Sequence, residues 1–200
     1  MSNIALQRIQ REYKEFNKPD DELTSGIKVG LIDDSYFHLR GEIDGPPDTP
    51  YETGTFVLDV EIPQTYPFHP PKIKFVTKIW HPNISSATGA ICLDILKDQW
   101  AASMSLRTIF LSIQALLCSP EPDDPQDAVV ARQYKDDFAL FTETARNWSQ
   151  KYAAATSAPN SEFLHRIEQL KDMGVEENDA RVALSSCGWD ISRATEMIFS

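Results

Sequence analysis

Cys92 stands between Ile91 and Leu93 in the stretch ATGAICLDILKDQW, just after a Thr88-Gly89 turn signal. A thiol in such a place is either a small buried hydrophobe or a nucleophile. Nucleophilic work needs thiolate, and a free thiol of pKa about 8.5 is only a few per cent ionised at pH 7. A cysteine hydrolase adds a histidine base and a group that orients it. The chain has four histidines, His38, His69, His81 and His165, and spacing marks none of them as that base. His81, between Trp80 and Pro82, reads as a structural turn residue, because the proline restricts the residue before it. Asn83 completes the WHPNI stretch and carries both an amide donor and an acceptor. A nucleophile without a base suits an acyl group that was activated elsewhere. Cys118, at the end of an apolar run, reads as core, and Cys187, before Gly188, as packing.

Several elements must position these groups. Leu6, Ile9, Tyr13 and Phe16 recur at helical spacing, with Arg8, Arg11 and Lys14 mostly on the other faces. That basic side is either a solvated surface or a docking face. Between Ile27 and Val76 the runs IKVGLID, YFHLRGEI, GTFVLDVEI and PKIKFVT alternate with turn signals, which predicts an antiparallel meander of four strands. PQTYPFHPP, with four prolines in nine residues, is excluded from a central strand. It reads as a rigid surface loop holding Tyr66 and Phe68. Ser105 is a good N-cap for an apolar helix ending at Cys118, and SPEPDDP breaks that helix. Further helices are expected at about 127–134 and 139–152. Residues 153–160 read as a linker, followed by helices at 162–173, 177–187 and 191–199 within a small module, 161–200. The class is α+β, with a first domain over 1–152.

Thirty acidic and 19 basic residues give a net charge of −11, which argues against nucleic acid as a ligand. Three cysteines without metal-type spacing suggest reduced thiols and no disulfide framework. No apolar stretch is long enough to predict a signal peptide or a membrane span.

HPNI, GAICLDIL and QW, with YPFHPP before them and PDDP after them, together resemble the catalytic domain of ubiquitin-conjugating enzymes over about residues 1–152. LKDMGV and GWDISRATEMIF resemble a ubiquitin-associated (UBA) domain. The resemblance implies that Cys92 carries ubiquitin as a thioester and passes it to lysine amines. Polyubiquitin chains for proteasomal degradation would be the product. It implies that Asn83 either stabilises the oxyanion or positions a loop, that Asp124 lies near the incoming lysine, and that His81 and Pro82 complete a structural motif. Arg8, Arg11 and Lys14 would meet the ubiquitin-activating enzyme. Phe68 and the loop after Trp100 would meet a ubiquitin ligase, expected to be of RING type. That loop reads WAASM, where many ligase-binding relatives have Ser-Pro-Ala. In the small module Met173, Gly174, Val175, Met197 and Ile198 would form a ubiquitin-binding patch, with Val175 where Phe or Tyr is usual. The patch could also be purely structural. No metal and no tightly bound cofactor is implied, because ATP is consumed by the activating enzyme. Expected partners are ubiquitin, the activating enzyme, ligases and protein substrates, with neither nucleic acid nor membrane. The expected location is the cytoplasm, with the nucleus second. A non-catalytic ubiquitin-binding variant of the same fold is the alternative, and the intact Cys92 and Asn83 speak against it.

Overall fold

The computed structural model describes residues 3–18 and 25–200. Helix α1 (Ile4–Phe16) starts at Asn3, whose side chain accepts from the Leu6 N–H. Its buried face is Ala5, Ile9, Glu12 and Phe16, while Leu6 and Tyr13 lie half-buried beside it. Hydropathy gives no reason to bury Glu12. Three donors compensate the carboxylate: the Tyr66 hydroxyl at 2.9 Å, the Leu106 N–H at 2.8 Å, and the Arg8 guanidinium.

Strands β1 (Ile27–Ile32), β2 (Ser35–Asp44), β3 (Thr55–Glu61) and β4 (Lys72–Phe75) form one antiparallel sheet in that order. The β1–β2 reversal places Asp33 and Asp34 at φ 51° and 57°, a conformation that a tight hairpin demands and short acidic residues tolerate. Ile43 pairs with Phe56 and Leu58 with Phe75, so alternate residues face one core. Helix α2 (Leu106–Cys118) contributes Leu106, Ile109, Phe110, Ile113, Leu116 and Leu117 to that core. A Cβ on Gly41 would lie 2.5 Å from the Phe110 ring, so glycine sets how closely helix and sheet approach. Ser105 caps α2 by accepting from the Thr108 N–H. Cys118 corrects its expected place in the core: it is exposed, because Leu116 and Leu117 already take the inward positions of the last turn.

Helices α3 (Ala128–Asp136) and α4 (Phe138–Tyr152) follow, then α5 (Ser161–Asp172), α6 (Glu177–Ser186) and α7 (Ile191–Phe199). The last three surround their own apolar cluster, in which the Phe163 and Trp189 rings stack 3.6 Å apart. Residues 153–160 are tied down at their start: the Ala153 carbonyl accepts from the Thr55 N–H, and the Thr156 N–H donates to Thr53 Oγ1, both at 2.9 Å. The three-helix module docks on the rest of the chain through Val182 and Leu140, each packed against the other part's apolar cluster, and through polar contacts. Trp148 Nε1 donates to Ser185 Oγ, and Trp189 Nε1 to Thr144 Oγ1, each at 2.9 Å. Trp189 therefore serves its own module and the helix beneath it. Among the described residues no helix is long and apolar enough to cross a membrane.

Candidate active site

The spacing between WHPNI and AICL is that of a short antiparallel return. The Cys92 N–H donates to the Asn83 carbonyl at 2.8 Å, and Ile84 bridges Ile91. Gly89 makes the return possible: it sits at φ 76°, and a Cβ there would lie 1.9 Å from the Phe75 carbonyl oxygen. The Ser86 hydroxyl donates to Asp127 Oδ2 at 2.6 Å, while the Gln126 and Asp127 N–H groups donate to the Pro82 carbonyl. The return is thereby fastened to the start of α3.

Cys92 is half-buried. Its sulfur lies 3.8 Å from Asp124 Oδ2 and 3.7 Å from Lys97 Nζ. Lys97 did not emerge from the sequence. It ends a short 3₁₀ turn, Asp94–Leu96, that brings a residue five positions on back beside the thiol, and no periodicity announces such a turn. A cavity of about 180 Å³ opens at the sulfur, lined by Asn83, Leu93, Asp94, Leu116, Glu121 and Asp124.

Asn83 is almost fully buried. Its Oδ1 accepts from the Glu121 N–H at 2.8 Å, and its Nδ2 donates to the carbonyls of Glu121 at 2.9 Å and Asp124 at 3.0 Å. An amide has two N–H hydrogens, and both are used. In this arrangement Asn83 fastens the 121–124 loop beside Cys92 and keeps no hydrogen for an oxyanion.

His81 is fully buried, beneath Tyr51, whose hydroxyl donates to the Trp80 carbonyl at 2.9 Å. The His81 Nδ1 accepts from the Asn83 N–H, so its Nε2–H donates to the Leu116 carbonyl, each at 2.9 Å. Burial pushes its pKa down to about 4, against the opposing pull of the Leu116 carbonyl. Neutral and with both nitrogens engaged, it has no lone pair to offer the thiol.

The outlying residues separate into groups. Arg8 departs from its expected outward role. Its guanidinium binds Glu12 and donates to the carbonyls of Ala102 at 3.0 Å and Met104 at 2.8 Å, pinning the WAASM loop to α1. Arg11 and Lys14 are exposed. In the proline-rich loop Tyr66 is buried against Glu12, whereas Phe68 projects outward, 67% exposed. Trp100 Nε1 donates to the Pro67 carbonyl at 2.8 Å, so this loop and the WAASM loop form one surface. In the module Met173 and Met197 are exposed and Gly174 sits at φ 87°. Val175 and Ile198 are half-buried against the module's core. The docked helix is α6, which leaves Met173 and Met197 outward.

Residues 8–149 match the family model described as ubiquitin-conjugating enzyme, and residues 165–198 match that of the UBA/TS-N domain. The chain is 59% identical over its whole length, and the whole length of the relative, to "Ubiquitin-conjugating enzyme E2 K" of Homo sapiens. It is 55% identical, again over both full lengths, to "Ubiquitin-conjugating enzyme E2-22 kDa" of Drosophila melanogaster. A solved structure of the E2 domain of a Toxoplasma gondii ubiquitin conjugating enzyme superposes with a TM-score of 0.69 at 47% identity, covering 74% of this chain and 98% of that one.

Proposed function

The chain belongs to the ubiquitin-conjugating enzymes, and on that premise we propose that Cys92 is the thiol that receives ubiquitin and hands it to lysine. The observation that carries this reading is the half-buried sulfur at the mouth of a cavity, flanked by Asp124 and Lys97 and lacking a histidine base. Such a thiol is poorly equipped to cleave an amide and adequate for exchange with an existing thioester. The Cys92 sulfur attacks the thioester carbonyl presented by the activating enzyme, the new C–S bond forms, and the old thiol leaves. The acyl group arrives activated, so this step calls for no metal and no tightly bound cofactor, and ATP is spent upstream.

Discharge requires a neutral amine. A substrate lysine of pKa about 10.4 costs roughly 4–5 kcal/mol to deprotonate at pH 7. The Asp124 carboxylate by its charge favours the ammonium, so its useful work is to orient the amine and accept the proton as the C–N bond forms. Asn83 acts here through position: its three hydrogen bonds hold the loop that carries Asp124.

Membership of the family entails interaction with ubiquitin, activating enzyme and ligases in general. Arg11 and Lys14 offer the activating enzyme a cationic face on an acidic protein, and Phe68 with the tied WAASM loop offers a RING-type ligase an apolar knob. Met173, Gly174, Val175, Met197 and Ile198 form the docking patch for ubiquitin on the module. Chain building for proteasomal degradation, in the cytoplasm and nucleus, is the biological reading.

The test is a chase of the charged protein with lysine or with hydroxylamine, a small and strong nucleophile. Asp124→Ala slows transfer to lysine and spares hydroxylamine. Equal loss with both nucleophiles would show that Asp124 only supports the loop.

A further inference from the structure

Far from Cys92 in sequence, the junction of α4, the 153–160 segment and the C-terminal module holds two unpartnered buried atoms. Asn147 Nδ2 and Arg181 Nη1 are the only buried side-chain polar atoms among the described residues without a hydrogen-bond partner. Asn147 is 2% exposed and Arg181 3%. The two side chains are bonded to each other, Arg181 Nε donating to Asn147 Oδ1 at 2.9 Å, so the orphaned atoms belong to one unit. Arg181 Nη2 is already committed to Glu177 Oε1 at 3.1 Å.

Both orphans are donors, and a buried donor without an acceptor is costly enough to be rare in folded proteins. Both residues line a cleft of about 350 Å³, together with Gln150, Lys151, Ser157 and Glu177. Its charge runs against that of the whole chain. Two cations, Lys151 and Arg181, share the single carboxylate of Glu177 in its lining. In a protein of net charge −11 this is a local excess of cations. A water molecule would satisfy the donors but leave that excess uncompensated.

We propose that the cleft binds a small oxyanion, a phosphate or carboxylate group, that accepts from Asn147 Nδ2 and Arg181 Nη1. A guanidinium and an amide both donate N–H groups that suit the oxygens of such an anion. Asn147 lies on α4 and Arg181 on α6, so the anion bridges the catalytic core and the UBA module. By linkage, an anion that needs both residues strengthens the docked arrangement.

The experiment uses the full chain, labelled for NMR, titrated with inorganic phosphate and, separately, with acetate, against sodium chloride at matched ionic strength. The expected result is a saturable shift of the Asn147 side-chain amide and Arg181 guanidinium signals, with a midpoint in the millimolar range and no counterpart in chloride. Phosphate should also raise the thermal midpoint above that in chloride. Saturation by acetate as well identifies a carboxylate-type ligand, and saturation by phosphate alone a phosphate-type ligand. Asn147→Asp places a carboxylate against Arg181 and should abolish the phosphate response while the protein remains folded. If Asn147→Asp fails to fold, Arg181→Gln provides the same readout. Equal responses in phosphate and chloride would overturn the proposal. So would a crystal grown in phosphate that holds only a water between the two donors.

Discussion

Replacing Asn83 with alanine separates two roles for that amide. The side chain makes three hydrogen bonds to the 121–124 loop, at 2.8, 2.9 and 3.0 Å, from an almost fully buried position. At about 1 kcal/mol net for each, the substitution should destabilise the protein by roughly 2–3 kcal/mol. The far end of the loop stays tied through the Gln126 and Asp127 N–H groups to the Pro82 carbonyl. The loop therefore loosens without detaching, and the Asp124 carboxylate drifts. A displacement near 1 Å costs on the order of 10²-fold in a positioned reaction, so lysine discharge should slow about 10- to 100-fold while charging continues. Single-turnover discharge of the pre-charged protein measures this, alone and combined with Asp124→Ala. If Asn83 works through Asp124, the double variant is no slower than the slower single one. The coupling energy is then about 1.5–3 kcal/mol. An oxyanion donor behaves differently, costing about 10²–10³ in rate with effects that add to those of Asp124. Full additivity with an unchanged unfolding midpoint would refute the positioning role.

His81 titrates near 6.5 when unfolded and at about 4 when folded, so the folded state binds fewer protons between those values. Its contribution is complete above pH 6.5 and is lost as pH falls towards 4, up to roughly 3 kcal/mol. Its imidazole NMR signals should hold still from about pH 7.5 to 5.5, and a midpoint near 6.5 would contradict the burial argument. Arg8→Ala should destabilise by about 3 kcal/mol, because it leaves the buried Glu12 carboxylate without its paired cation. Arg11→Ala and Lys14→Ala should move stability by less than about 0.5 kcal/mol and slow charging. Denaturant unfolding and charging kinetics compare the three variants. Val175→Phe should tighten ubiquitin binding to the module about fivefold, close to 1 kcal/mol, by adding apolar contact. Titration of the labelled protein with ubiquitin checks this, and no change at Met173 would rule the patch out.

Local features were legible in the sequence. Ser105 announced the start of α2, the alternating runs marked the strands, and Gly89 marked a turn. Chemistry that depends on distant partners was not. Glu12 is polar on every scale, and its burial depends, beyond nearby Arg8, on Tyr66 and Leu106, 54 and 94 residues away, which donate to it. Arg8 looked outward until the WAASM carbonyls came to it. The Asn147–Arg181 pair joins residues 34 apart, across a segment that composition marks only as a linker. Cys118 misled for a simpler reason: an apolar run ending a helix does not say which residue of the last turn faces in. At the site, Cys92 and Asn83 stood out by type and spacing, while Lys97 needed the 3₁₀ turn to be seen.

The central claim is that Cys92 carries ubiquitin as a thioester, and the direct measurement is charging with activating enzyme, ubiquitin and ATP, read by intact mass and by non-reducing gel. The account predicts one ubiquitin adduct on the native chain, released by thiol reductant, and the same adduct on Cys118→Ser. Cys92→Ser should give at most an oxyester that resists the reductant. A reductant-sensitive ubiquitin adduct persisting on Cys92→Ser would contradict it.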